Sequence, residues 1–235
     1  MPILNQQQWF ESNLGQYLLE IEQKYFDQAV MNIFGYNAIQ IGFSEYDFLR
    51  TNRMPFKLCT NTKKGSPLLA KPDFLPIESN SIDLVLLPHV LEFFSNPHQI
   101  LREVHRILVA EGQVIICGFN PISLWGARKR FNSSKHSFPW SGNFIALPRL
   151  KDWLTLLDFD MTSGKLACYT PPINQKKWLK RFEFMEHIGD RWWPISGGIY
   201  FLQAIKRTHG MRIIKPAWKK SLAPKRQIAP ATNKI

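Results

Sequence analysis

Apolar residues recur between residues 6 and 34 at Trp9, Leu14, Leu18, Ile21, Tyr25, Val30 and Ile33, close to the spacing of one helix face. This predicts an amphipathic amino-terminal helix over 6–34, ending near Gly35. A short apolar run bounded by glycines, "NAIQIG", then reads as a strand, "EYDFLRT" as a short helical piece, and "FKLCTN" as a second strand. The apolar run from Ile82 to Leu87 suggests a strand covered on both faces, as in a parallel sheet. Asn96 is placed to cap a helix with Pro97 at its first position. Ile100, Leu101, Val104, Ile107 and Leu108 supply that helix's apolar stripe. After Gly112, "QVIICGF" gives another buried strand. Strand, crossover helix and strand in this order make a right-handed unit, so the pattern predicts an α/β fold with a mostly parallel sheet.

Past Phe119 the pattern loosens before it resumes. "LPRLKDWLTLLDF" reads as a helix, "DMTSGKLACY" as a strand, "NQKKWLKRFEFMEHIG" as a helix and "GGIYFLQAIKR" as a last strand. One domain over residues 1–207 accounts for this order, followed by a basic tail over 208–235. Length agrees, because a chain of 235 residues can bury roughly 70 to 75% of its unfolded surface without a disulfide or metal staple. Cys59, Cys117 and Cys168 are scattered and odd in number, with no metal-ligand spacing, so no metal and a reduced, cytoplasmic setting are expected. No stretch approaches the roughly 18 apolar residues of a membrane span.

The net charge of +12 is concentrated at one end. From Lys206 onward there are nine Lys or Arg and no acid, whereas the preceding residues hold 21 bases against 18 acids. Such a tail suits a solvated terminus, or contact with nucleic acid or an acidic lipid surface.

The segment from Leu75 to Pro121 carries Leu75-Pro76, Glu78-Ser79-Asn80, Ile82-Asp83, His89, Val90-Leu91-Glu92, Leu101-Arg102-Glu103-Val104-His105-Arg106-Ile107-Leu108 and Glu111-Gly112. In this order it resembles the class I S-adenosylmethionine-dependent methyltransferases, particularly the type 11 group. Loosely counted, the likeness runs over 36–207, with its middle third the specific part. The resemblance implies a Rossmann-like fold with a mostly parallel seven-stranded sheet and helices on both faces. It also implies S-adenosyl-L-methionine as cofactor and methyl transfer to a small-molecule acceptor.

The same resemblance assigns the cofactor to Gln40, Gly42, Phe43, Ser44, Asn61, Leu75, Pro88 and His89. In that family the first strand ends in an acid and a GxGxG turn; here Gln40 takes the acid's place, and Gly42, Ser44 and Tyr46 those of the glycines. The family's ribose-binding acid has no counterpart, since no Asp or Glu lies between Asp47 and Asp73. Asn61, or Thr60 and Thr62, would serve instead, without the charge-assisted bond. Weaker cofactor binding is implied; the competing reading of Gly42 is a simple strand-ending turn.

Two residues are catalytic candidates. His89, just past a strand's carboxyl end, is a candidate base; it equally packs against cofactor or satisfies a backbone group. Asn120 positions an acceptor or caps a helix beginning near Ser123. Residues 120–149 join Trp125, Phe131, Phe138 and Trp140 to Arg128, Lys129, Arg130, Lys135 and Arg149. They form either a lid over an acceptor or a small aromatic core under a basic face. Two other functions stay open: a non-catalytic scaffold whose tail contacts nucleic acid, and an RNA methyltransferase.

Overall fold

The computed structural model describes residues 6–61, 68–131, 137–182, 184–186, 193 and 195–208, the side chain of residue 61 excepted. The basic tail and the nucleic-acid contact expected of it lie outside the described residues. Seven strands form one sheet: β1 (Asn37–Ile41), β2 (Phe56–Asn61), β3 (Leu68–Leu69), β4 (Ile82–Pro88), β5 (Leu108–Phe119), β6 (Phe159–Ala167) and β7 (Ile199–Lys206). Their spatial order is β3-β2-β1-β4-β5-β7-β6. The first five run parallel, while β7 is antiparallel to both of its neighbours. The mostly parallel α/β sheet expected from the crossover pattern is therefore present.

Alternation along the strands divides the core into two layers. Ala38, Leu84, Leu86, Ile115 and Cys117 face α1 (Gln6–Phe10) and α2 (Asn13–Met31), together with Leu18, Phe26 and Val30. Ile39, Ile41, Val85, Leu87, Val114 and Ile116 face α3 (Pro97–Ile107) and α4 (Leu147–Thr155), through Ile100, Leu101, Val104, Leu150 and Leu154. The start of α3 is the predicted one: the Asn96 side chain accepts from the Gln99 N–H, and Pro97 opens the helix.

Three local expectations differ from the structure. The amino-terminal helix breaks after Phe10, where Ser12 caps α2 by accepting from the Gly15 N–H at 3.1 Å. A Cβ at Gly15 would collide with the Trp9 carbonyl, so the crossing of α1 and α2 requires glycine there. "EYDFLRT" forms turns instead of a helix. Polar side chains take the backbone groups that a helix would pair: Asp47 Oδ1 accepts from the Leu49 N–H, and Asn52 donates to the carbonyls of Val30 and Ile33 and accepts from Met54. Finally, β5 begins at Leu108 directly after α3, before Gly112.

Lys206, counted above with the basic tail, is the last residue of β7 and is buried. Its ammonium donates to the carbonyls of His105 and Leu108, at the carboxyl end of α3, and to Asn80 Oδ1, at 2.8, 2.7 and 2.9 Å. A cation there satisfies carbonyls that the helix leaves unpaired and complements its dipole. Lys206→Met is expected to lower unfolding free energy by about 3 kcal/mol, because three acceptors lose their donor. The urea midpoint of the variant against the wild type measures this.

Candidate active site at the switch point

In an open parallel sheet, ligands bind beyond the strands' carboxyl ends where strand order reverses. Here that point lies between β1 and β4. Gly42 leaves β1 with φ of 82°, and its N–H donates to the Thr60 carbonyl at 2.7 Å. A Cβ at Gly42 would stand 3.0 Å from Val90 Cγ2, so both the backbone and the space favour glycine.

Gln40 is buried beneath this turn. Its Nε2 lies within hydrogen-bond reach of the carbonyls of Gly42, Phe43 and Tyr46, at 3.1, 3.0 and 2.8 Å. Its Oε1 accepts from the Phe48 N–H at 3.0 Å. One amide thus staples residues 42–48 into a closed loop. The staple sets Phe43, at φ of 53° and buried, over the rim, where its ring meets those of Phe10, Phe138 and His89 at 5.3, 6.2 and 5.8 Å. Tyr46 turns its ring to Phe10, at 5.3 Å. Ser44 is half-exposed on the same loop.

On the other side of the switch point Pro88 ends β4, and His89 follows at φ of 50°. The imidazole is fully buried and stacks on Phe119 at 4.2 Å. Nε2 lies 2.7 Å from Glu22 Oε1 and 3.5 Å from Cys117 Sγ; Nδ1 lies 3.4 Å from Glu92 Oε1. Burial works against protonation, yet the Cys117 sulfur and the Glu22 carboxylate, both facing Nε2, outweigh it, with Glu22 carrying the charge because burial keeps the Cys117 thiol protonated, and the imidazole is held well above the usual histidine range. Both ring nitrogens are engaged, so neither is free to take a substrate proton.

The remaining candidates are more dispersed. Leu75 is buried: its N–H donates to Glu103 Oε1, and its carbonyl accepts from Arg106. Asn61 closes β2. Asn120 spends its amide on the carbonyls of Ile122, Ile195 and Gly197, and its Oδ1 accepts from the Ile122 N–H. It ties the end of β5 to the chain entering β7. Trp125, Phe138 and Trp140 are buried in a layer with Phe119 and Phe144, while Arg128 and Lys129 lie over Trp140 and Phe144. Phe131 is exposed.

Sequence reasoning missed Glu22, Glu92 and Cys117 around His89, and Phe10 against Phe43. Glu22 did carry a signal: it stands on the apolar face of α2 in line with Leu18 and Phe26.

The family model described as "Methyltransferase domain" matches residues 52–116, from just before β2 to within β5. Over those residues the chain is similar to that methyltransferase domain. Protein YafS of Escherichia coli (strain K12) is 40% identical over 100 residues, 42% of each chain. Protein MJ1123 of Methanocaldococcus jannaschii is 29% identical over 92 residues, 39% of this chain and 45% of that one. The matches thus span less than half the length of these curated relatives. Among solved structures, a SAM-dependent methyltransferase from Thermotoga maritima superposes with TM-score 0.62 at 16% identity, covering 86% of this chain and 94% of that one. One from Mesorhizobium loti gives 0.56 at 15%, covering 78% and 97%. The [4+2]-cyclase SpnF gives 0.56 at 13%, covering 79% and 80%.

S-adenosylmethionine is the cofactor that the methyltransferase-domain match over 52–116 implies. The carboxyl rim of β2 and β3 fits a nucleoside. Thr60 Oγ1, near the carboxyl end of β2, and Asp73 Oδ1, in the segment after β3, are buried with no hydrogen-bond partner among the described residues, and buried polar atoms ordinarily have one. At the switch point itself Phe43 occupies the rim, so a ligand must displace that ring. Gln40→Leu removes the staple and tests whether it holds the rim closed. The Cys59 thiol, pushed up to about 12 chiefly by burial, lies 3.9 Å from the Gly42 carbonyl and should label slowly in the wild type. The variant is expected to label at Cys59 at least about tenfold faster and to lose about 2 kcal/mol of stability. Peptide mapping of the labelled protein reads this, and an unchanged rate would refute it.

Proposed function

We propose that the protein transfers a methyl group from S-adenosylmethionine to a small-molecule acceptor at the β1–β4 switch point. The observation that carries this reading is the methyltransferase-domain match over 52–116, whose strands β2 and β4 flank β1 on the sheet and end on the same rim as Gly42. Gly42 and Ser44 would hold the cofactor through the turn after β1, Asn61 with Thr60 and Asp73 the nucleoside, and Leu75 and Pro88 its apolar surroundings. When bound, the cofactor supplies a methyl carbon already activated for displacement, so alignment rather than a strong base is the chain's main task. Phe10, Phe43 and Phe138 exclude water from the rim. His89 and Asn120 act by positioning, since their polar atoms are bonded to other parts of the chain. An aromatic-walled rim of this kind suits a small acceptor better than a polymer.

A second reading, a non-catalytic binding protein, is favoured by one observation: the packing of Phe43 over the switch point. SpnF, named as a cyclase, shares the fold, so the fold does not dictate methyl transfer.

Calorimetry with S-adenosylhomocysteine separates the two. Saturable binding is expected for the wild type. Phe43→Ala is expected to bind about tenfold more tightly, since a closed loop reduces apparent affinity by the fraction of molecules that are open. Absence of heat from both proteins at millimolar ligand would exclude the methyltransferase reading and leave the binding protein.

A further inference from the structure

The core between α2 and the sheet holds a side-chain cluster that methyl transfer does not use. Glu22 from α2, His89 after β4 and Cys117 from β5 bring a carboxylate oxygen, an imidazole nitrogen and a sulfur within 4.8 Å of one another, and all three residues are buried. The donors converge on one point: His89 Nε2 is 2.7 Å from Glu22 Oε1 and 3.5 Å from Cys117 Sγ. Glu22 Oε2 is also buried, and among the described residues it has no hydrogen-bond partner. Buried carboxylates in proteins are paired or coordinate metals, and the single imidazole pairs with only one oxygen of this one. The other face of the imidazole is equally telling. Nδ1 turns to Glu92 Oε1, 3.4 Å away, and that oxygen is itself fixed by the Phe119 N–H at 2.6 Å. A carboxylate behind the distal ring nitrogen is how metal-bound histidines are commonly oriented.

We propose that Glu22, His89 and Cys117 bind a zinc ion that ties α2 to the sheet, with Glu92 orienting His89. Mixed oxygen, nitrogen and sulfur donors suit zinc, and Glu22 Oε2 stands ready as a further donor. Binding forms Zn–O, Zn–N and Zn–S bonds and displaces the ion's waters. The Cys117 thiol and the His89 imidazolium each give up a proton to solvent, while the Nδ1 proton stays on the Glu92 side. The site is enclosed, so its role is to hold structure. It stands independently of the methyltransferase reading, because metal content is measured without any activity.

The test uses the full chain without a histidine tag, expressed in zinc-supplemented medium. Elemental analysis is expected to find about one zinc per chain, the stoichiometry of a single closed site. Cobalt substitution is expected to give a thiolate-to-cobalt charge-transfer band that Cys117→Ser abolishes. Cys59→Ser and Cys168→Ser are expected to keep the band, so misfolding of the Cys117 variant alone cannot mimic the result. Folded wild-type protein with only trace metal and no cobalt band would overturn the proposal, as would loss of the band in Cys59→Ser or Cys168→Ser.

Discussion

The arrangement of the rim depends on one buried contact, the imidazole of His89 against the carboxylate of Glu22. Placing these two groups in an apolar core carries a desolvation cost that pairing, direct or through a shared cation, offsets, and removing either partner of such a pair typically costs about 3–5 kcal/mol. The contact therefore fixes where α2 crosses the sheet. Once α2 is fixed, α1 must fold back across it at Gly15, and Phe10 is carried to the rim beside Phe43 and Phe138. His89 can occupy this position only because the chain leaves β4 with a left-handed turn, directing the ring under the aromatic layer instead of toward solvent.

That layer explains how the turn after β1 is built with Gly42 as its one glycine. Fewer glycines mean more side-chain volume at the rim. The volume is absorbed by Phe43 packing inward and Tyr46 packing sideways against Phe10. Gln40 completes the change: as a neutral amide it both donates and accepts, so its two N–H groups are shared among three nearby carbonyls while its oxygen takes one N–H of the loop. A carboxylate at the same place could only accept.

Much of the fold was legible in the chain. The unit from β4 through α3 to β5 follows from an apolar run, an Asn-Pro start and a regular stripe, signals that are local and agree with one another. The turns after β1 were not legible, because they are set by side-chain bonds from Gln40, Asp47 and Asn52 to backbone groups up to 22 residues away. The site divides in the same way. The special conformation of Gly42 is visible as a glycine at a strand's end. The inward packing of Phe43 is not, since its partners Phe10 and Phe138 arrive from distant segments. His89 was found by its place after a strand, but its carboxylate partners were not: Glu22 stands out on the apolar face of α2, yet nothing local links it to a histidine 67 residues away. Asn120 and Leu75 were identified by position, and their polar groups serve the scaffold.

The central claim is that the β1–β4 switch point is the ligand site and that the stapled loop 42–48 covers it. Amide hydrogen exchange with and without S-adenosylhomocysteine tests this most directly. The account predicts altered exchange at Phe43, Tyr46, Phe48 and His89 when the ligand is added, with α3 and β7 unaffected. Unchanged exchange across the rim at saturating ligand, or a response confined to the face between α2 and β6, would contradict it.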